Sequence, residues 1–120
     1  MVQPMTNYTR IFKILTLTAL TVVLVMSLRP SVSVGGPANL DKLLHLVAYG
    51  VLGGLARLGW PKIWGGTLFL CLAGYGIAIE ILQHVMAIGR TGSFADILAN
   101  CLGAALALTF FHFFWTRHQR

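Results

Sequence analysis

Four long apolar runs, parted by short stretches rich in glycine, proline and charge, set the pattern of this chain. Each run is long enough to cross the ~30 Å hydrocarbon layer, which takes about 20 helical residues. The first span is expected over residues 11–28, with Thr16, Thr18, Thr21 and Ser27 as the polar side chains of its apolar core. Lys13 enters that helix and would snorkel to the interface. Residues 29–38 read as loop, broken by Pro30, Gly35, Gly36 and Pro37. Asn39 suits an N-cap, and the second span follows over residues 40–60. Within it, Gly50 and Gly54 form a G-x-x-x-G pair that lets another helix approach closely.

Trp60-Pro61-Lys62 turns the chain, and Trp60 and Trp64 suit an interfacial aromatic belt. The third run, residues 63–88, would measure about 39 Å at ~1.5 Å per residue, more than the layer needs. It must tilt, bend near Gly74 and Gly76, or end early. Residues 89–92 form a tight turn, and residues 94–115 the fourth span. Ala95, Ala99, Gly103 and Ala107 give that span a small-residue stripe for packing. Residues 1–10 read as a polar N-terminal tail and residues 116–120 as a basic one. The start resembles a signal peptide, but Arg29 and Pro30 directly after the apolar core argue for a retained helix. The fold class expected is an all-α integral membrane bundle of four transmembrane helices with short loops.

Composition agrees: 57% of residues are hydrophobic and the mean hydropathy is +0.77, above the usual soluble range. The net charge of +6 does not point to nucleic acid, because the cations are scattered between apolar runs rather than set in a stripe. They report orientation instead. Arg10, Lys13, Arg57, Lys62, Arg117 and Arg120 fall on one side; Arg29, Lys42 and Arg90 fall on the other. The richer side is cytoplasmic by the positive-inside rule, which puts both termini there. Cys71 and Cys101, deep in apolar runs, read as small core residues.

The carboxylates change the picture most. The chain has three, and Asp41, Glu80 and Asp96 all lie toward the outer side. An ionisable group inside hydrocarbon costs roughly 2.5–3.5 kcal/mol on insertion scales. At ~1.5 Å per residue, Tyr49 lies about 13 Å below the start of the second span, Glu80 about 12 Å below the end of the third, and Asn100 about 10 Å below Ser93. Asp41, His45 and Tyr49 recur every four residues and share a face. Glu80 shares one with Gln83 and His84, and Asp96 with Asn100. Three helices therefore carry polar groups to one level, as a funnel in the outer leaflet.

These residues resemble the VanZ-like family of small bacterial integral membrane proteins. The resemblance rests on Asp41-Lys42-x-x-His45-x-x-x-Tyr49, on Glu80-x-x-Gln83, and on Arg90 followed by Asp96-x-x-x-Asn100-x-x-Gly103. It spans roughly residues 40–107. Gly50 and Ala107 depart from its common pattern, as does the absence of proline before Arg90, but every charged position is kept. The resemblance implies a multi-pass protein of the bacterial cytoplasmic membrane. One branch of the family is associated with low-level resistance to the glycopeptide teicoplanin, without a mechanism attached.

Three readings of the polar residues stand together. In the first, the funnel recognises a polar or anionic envelope amphiphile or a glycopeptide amid the membrane lipids. Lys42 and Arg90 would hold anionic groups, and Asp41, His45, Tyr49, Glu80, Gln83, Asp96 and Asn100 would complete the ligand-binding set. In the second, the protein is an enzyme with Glu80 or Asp96 as acid or base and His45 as partner. No nucleophile stands out there, since Ser93 is better used in a Ser-x-x-Asp capping box with Asp96. In the third, the charges only fasten the bundle, as buried pairs do. His45, Glu80, His84 and Asp96 could together ligate a divalent metal, and Asp41-x-x-x-His45 and Glu80-x-x-x-His84 each have i,i+4 geometry. Without an H-E-x-x-H pattern the expectation is no metal and no cofactor.

Overall fold

The computed structural model describes residues 3–29, 40–86 and 94–118. Regular structure among them is entirely helical: α1 (Gln3–Leu28), α2 (Leu40–Gly59), α3 (Gly65–Met86) and α4 (Phe94–His118). The expected loop at 30–38, the cap at Asn39 and the turn carrying Arg90 and Ser93 lie outside the described residues. Three helices, over Asn7–Leu28, Gly65–Met86 and Phe94–Phe114, are long and apolar enough to cross a membrane. The shortest, α2, carries Asp41, Lys42, His45 and Arg57 in its 20 residues, which lowers its apolar average.

Several expected boundaries move, among them the end of α4, which runs to His118 rather than stopping at 115. The helix α1 begins at Gln3, so most of the expected polar tail is helical. Pro4 is tolerated there because a first-turn N–H has no intrahelical acceptor to lose. The polar start marks where the apolar segment begins, not where the helix does. The α3 helix starts at Gly65 rather than at 63, after a turn that Arg57 organises by donating to the Pro61 and Ile63 carbonyls at 3.1 and 2.9 Å. Its 22 residues run through Gly74 and Gly76 as one helix. That is about 33 Å at ~1.5 Å per residue, a length that needs no bend.

Three threonines of α1 are satisfied within their own helix, as a hydrocarbon setting favours. Thr16, Thr18 and Thr21 donate to the carbonyls of Phe12, Ile14 and Leu17 at 2.6, 2.8 and 2.9 Å, each one turn back. Lys13 sets its ammonium 5.6 Å from the Trp60 ring centroid, a cation–π contact at the end where the aromatic belt was expected. The bundle's outer surface is apolar: Ile14, Leu17, Val25, Leu70, Leu98 and Phe113 are all more than half exposed. Apolar surface on that scale suits lipid rather than water. Cys71 belongs to this exposed face, not to the core as expected; Cys101 is partly buried, and both are free thiols.

The core forms where α2 lies against α4. The small residues make this possible. A Cβ on Gly53 would meet Ala107 Cβ at 3.1 Å and the Ala104 carbonyl at 3.2 Å, and one on Gly54 would touch the Phe111 ring at 3.0 Å. Around them Tyr49, Leu52, Leu72 and Ala104 are buried together. Residue numbers rise in step along both helices: His45 meets Asn100, Gly53 meets Ala104 and Ala107, and Gly54 meets Phe111. So α2 and α4 run parallel, with α3 as the return crossing between them. Their N-terminal turns, which carry Asp41 and Asp96, are thereby brought to the same end of the bundle.

Candidate functional site

The parallel pairing decides which polar residues meet. His45 donates from Nδ1 to Asn100 Oδ1 at 2.9 Å, a direct α2–α4 bond between positions 55 residues apart. Its other ring nitrogen, Nε2, lies 3.8 Å from Asp41 Oδ1 and 3.8 Å from Asp96 Oδ2. Asp41 is the rim, with a side chain 64% exposed, while His45 and Asp96 are 17% and 12% exposed. Asn100 and Tyr49 are buried below them. The polar column on α2 therefore runs from solvent at Asp41 to the packed core at Tyr49.

Gly103 fixes the spacing of this column. A Cβ there would fall 2.2 Å from the Leu46 carbonyl and 3.0 Å from the Gly50 amide nitrogen. Backbones must touch at that point, and the His45–Asn100 bond is made one turn away. Gly76 has a parallel role on α3. A Cβ on it would meet Asn100 Nδ2 at 3.0 Å and the Tyr49 hydroxyl at 3.1 Å. Gly76, one of the places where a bend was offered as an alternative to a tilt or a shorter helix, is instead the clearing that admits both side chains. The Tyr49 hydroxyl is buried with no hydrogen-bond partner among the described residues.

The remaining expected residues divide. Glu80 and Gln83 are buried on the inner face of α3. Gln83 donates from Nε2 to the Ser27 carbonyl at 2.7 Å, so its amide is directed at α1 rather than at the α2–α4 column. Tyr75, absent from the expected set, donates likewise to the Leu20 carbonyl. Lys42 and His84 are exposed, and Arg90 lies outside the described residues. Sequence spacing reveals same-helix neighbours but not these cross-helix partners; the only early signal for Gly76 was its place one turn before Glu80. Two open grooves lie elsewhere. One of about 390 Å³ sits at the Trp60 end, lined by Arg57, Trp64, Phe69, Thr109 and His112; one of about 440 Å³ lies between α1 and α2.

Searches of curated proteins and of solved structures return no match. A family model does match, described as VanZ/LLP1, and it extends well beyond residues 40–107, where the motifs lie, into α1 and the end of α4. With that model covering residues 2–115, the chain belongs to the VanZ/LLP1 family and is a VanZ-like membrane protein.

Proposed function

We propose that this protein sits in a bacterial cytoplasmic membrane with all four helices crossing it and both termini inside. Its polar column would then open outward and recognise a polar or anionic amphiphile of the cell envelope. The observation that carries the reading is the His45–Asn100 bond below the exposed Asp41 and the mostly buried Asp96, a graded polar path from an open mouth to a buried floor. A purely structural network would be expected to close on itself; here Asp41 stays open to solvent. Lys42 on the rim, with Arg90 from the neighbouring turn, supplies cationic partners for an anionic head group. The link to teicoplanin tolerance is the phenotype that the family resemblance suggests for such a ligand site.

The test uses Glu80→Gln and Arg90→Lys. Both keep size and some hydrogen bonding while removing the carboxylate charge or the planar guanidinium fork. Truncation to alanine is less informative, because it leaves a buried partner unpaired and destabilises by about 3–5 kcal/mol. Both variants should insert and accumulate near wild-type level, yet lose glycopeptide tolerance or the envelope property that deletion of the protein alters. Full phenotype from both at normal abundance would return the charges to a fastening role.

A further inference from the structure

We propose that Asp41, His45 and Asp96 bind one divalent transition-metal cation at the open end of the bundle. The starting point is the tautomer. Asn100 presents Oδ1 to His45 and turns its amino group toward Gly76. His45 then donates from Nδ1, and in the neutral ring this leaves the Nε2 lone pair facing outward from that bond. What it faces is a carboxylate oxygen on each side, from Asp41 and from Asp96, each 3.8 Å away. Three lone-pair donors thus converge within 4.8 Å of one another.

At 3.8 Å from each carboxylate oxygen, Nε2 stands at ion-pair distance, longer than the about 2.7–3.2 Å of an N–H···O bond. Two metal–ligand bonds of about 2.0–2.2 Å hold their ligand atoms roughly 3 Å apart at a right angle and about 4.2 Å apart when opposed. The two nitrogen–oxygen spans fit inside that window. The widest span needs to close by only about 0.6 Å, within a rotamer adjustment of the exposed Asp41. Imidazole with two carboxylates favours a first-row cation such as Zn²⁺ or Mn²⁺ over Ca²⁺ or Mg²⁺. Two ligands one turn apart on α2 and one on the parallel α4 give a rigid frame. Asn100 acts from behind, as outer-shell partners of metal-bound histidines do.

The proposal rests on the same column as the ligand reading and deepens it. An acidic rim alone repels an anion. A divalent ion cancels the two carboxylate charges and, held by three protein ligands, keeps positions open for a phosphate or carboxylate oxygen of the amphiphile.

The test uses the full-length protein in detergent micelles, stripped with chelator, then titrated with Zn²⁺ and with Mn²⁺ by calorimetry, with bound metal counted by mass spectrometry. One ion per chain is expected. Asp41→Asn is the decisive variant, since that side chain is 64% exposed and the change keeps its size. It should lose affinity, as should His45→Ala and Asp96→Asn. Asn100→Leu should weaken binding roughly 10–100-fold. Replacing the exposed His84 and His112 should leave the stoichiometry unchanged. Absence of binding above the micelle blank, or affinity unaltered in Asp41→Asn and His45→Ala, overturns the proposal. A failed titration alongside loss of phenotype in Glu80→Gln and Arg90→Lys removes only the metal. A bound metal with full phenotype in both variants removes only the envelope-ligand reading.

Discussion

Gly103→Ala probes the tightest approach among the described glycines. Its new Cβ would lie 2.2 Å from the Leu46 carbonyl oxygen, and both are backbone-anchored. To reach even 3.0 Å, α2 and α4 must part by about 0.8 Å there. Rigid separation by that amount would stretch the His45–Asn100 bond from 2.9 Å to about 3.7 Å, beyond hydrogen-bonding range. Overpacking of this kind costs about 1–3 kcal/mol, and a lost hydrogen bond adds about 1. Alanine's better helix propensity returns at most about 1 kcal/mol. The net expectation is a loss of roughly 1–3 kcal/mol. Gly74→Ala is the matched control, since a Cβ there meets nothing within 4 Å and only the propensity gain remains. Thermal unfolding of both variants in one detergent decides the matter. A Gly103→Ala protein melting at or above Gly74→Ala would mean that α2 and α4 are not held at this separation.

Two further outcomes are expected. Tyr49→Phe should leave stability unchanged or raise it by up to about 1 kcal/mol, because it removes a buried hydroxyl without a hydrogen-bond partner among the described residues; a loss above about 1 kcal/mol would show that the hydroxyl is bonded. For orientation, single cysteines at Ser31 and Thr91, in a background lacking Cys71 and Cys101, should react with an impermeant thiol reagent in intact cells, and one at Lys62 only after the membrane is opened. The opposite labelling pattern would place the polar column on the cytoplasmic side.

The helices were legible because apolar runs of this length allow little else in a bilayer. The glycine pair on α2 and the stripe through Gly103 and Ala107 likewise announced a tight helix crossing. What could not be read was which helix meets which. That α2 and α4 lie side by side depends on how α3 folds back, and nothing local encodes it. Shared faces and helix depth set Asp41, His45, Asp96 and Asn100 at one level, but not which atoms meet: the His45–Asn100 bond and the approach of Asp96 to His45 depend on the packing of α2 on α4. Gln83 misled for the same reason. A buried amide declares a need for a partner without naming it, and here the partner is a main-chain carbonyl on α1. The role of Gly76 could not be read, because a glycine in an apolar helix suggests only flexibility when its neighbours are unknown. Arg90 lies outside the described residues, so the rim is drawn from Asp41 and Lys42.

The attachment of α1 carries a consequence for how such proteins diverge. It touches α2 and α3 but not α4 among the described residues. The two bonds that tie it to α3, from Tyr75 and Gln83, both end on its main-chain carbonyls, of Leu20 and Ser27. A carbonyl is the same at every position, so α3 recognises α1 as a helix rather than as a sequence. Substitution on α1 is then limited by oiliness and by a few snug positions such as Thr16, while the spacing of glycines and polar groups on α2 and α4 admits little drift. Relatives should therefore differ most in their first helix, and a chimera carrying a foreign apolar helix in its place should still assemble.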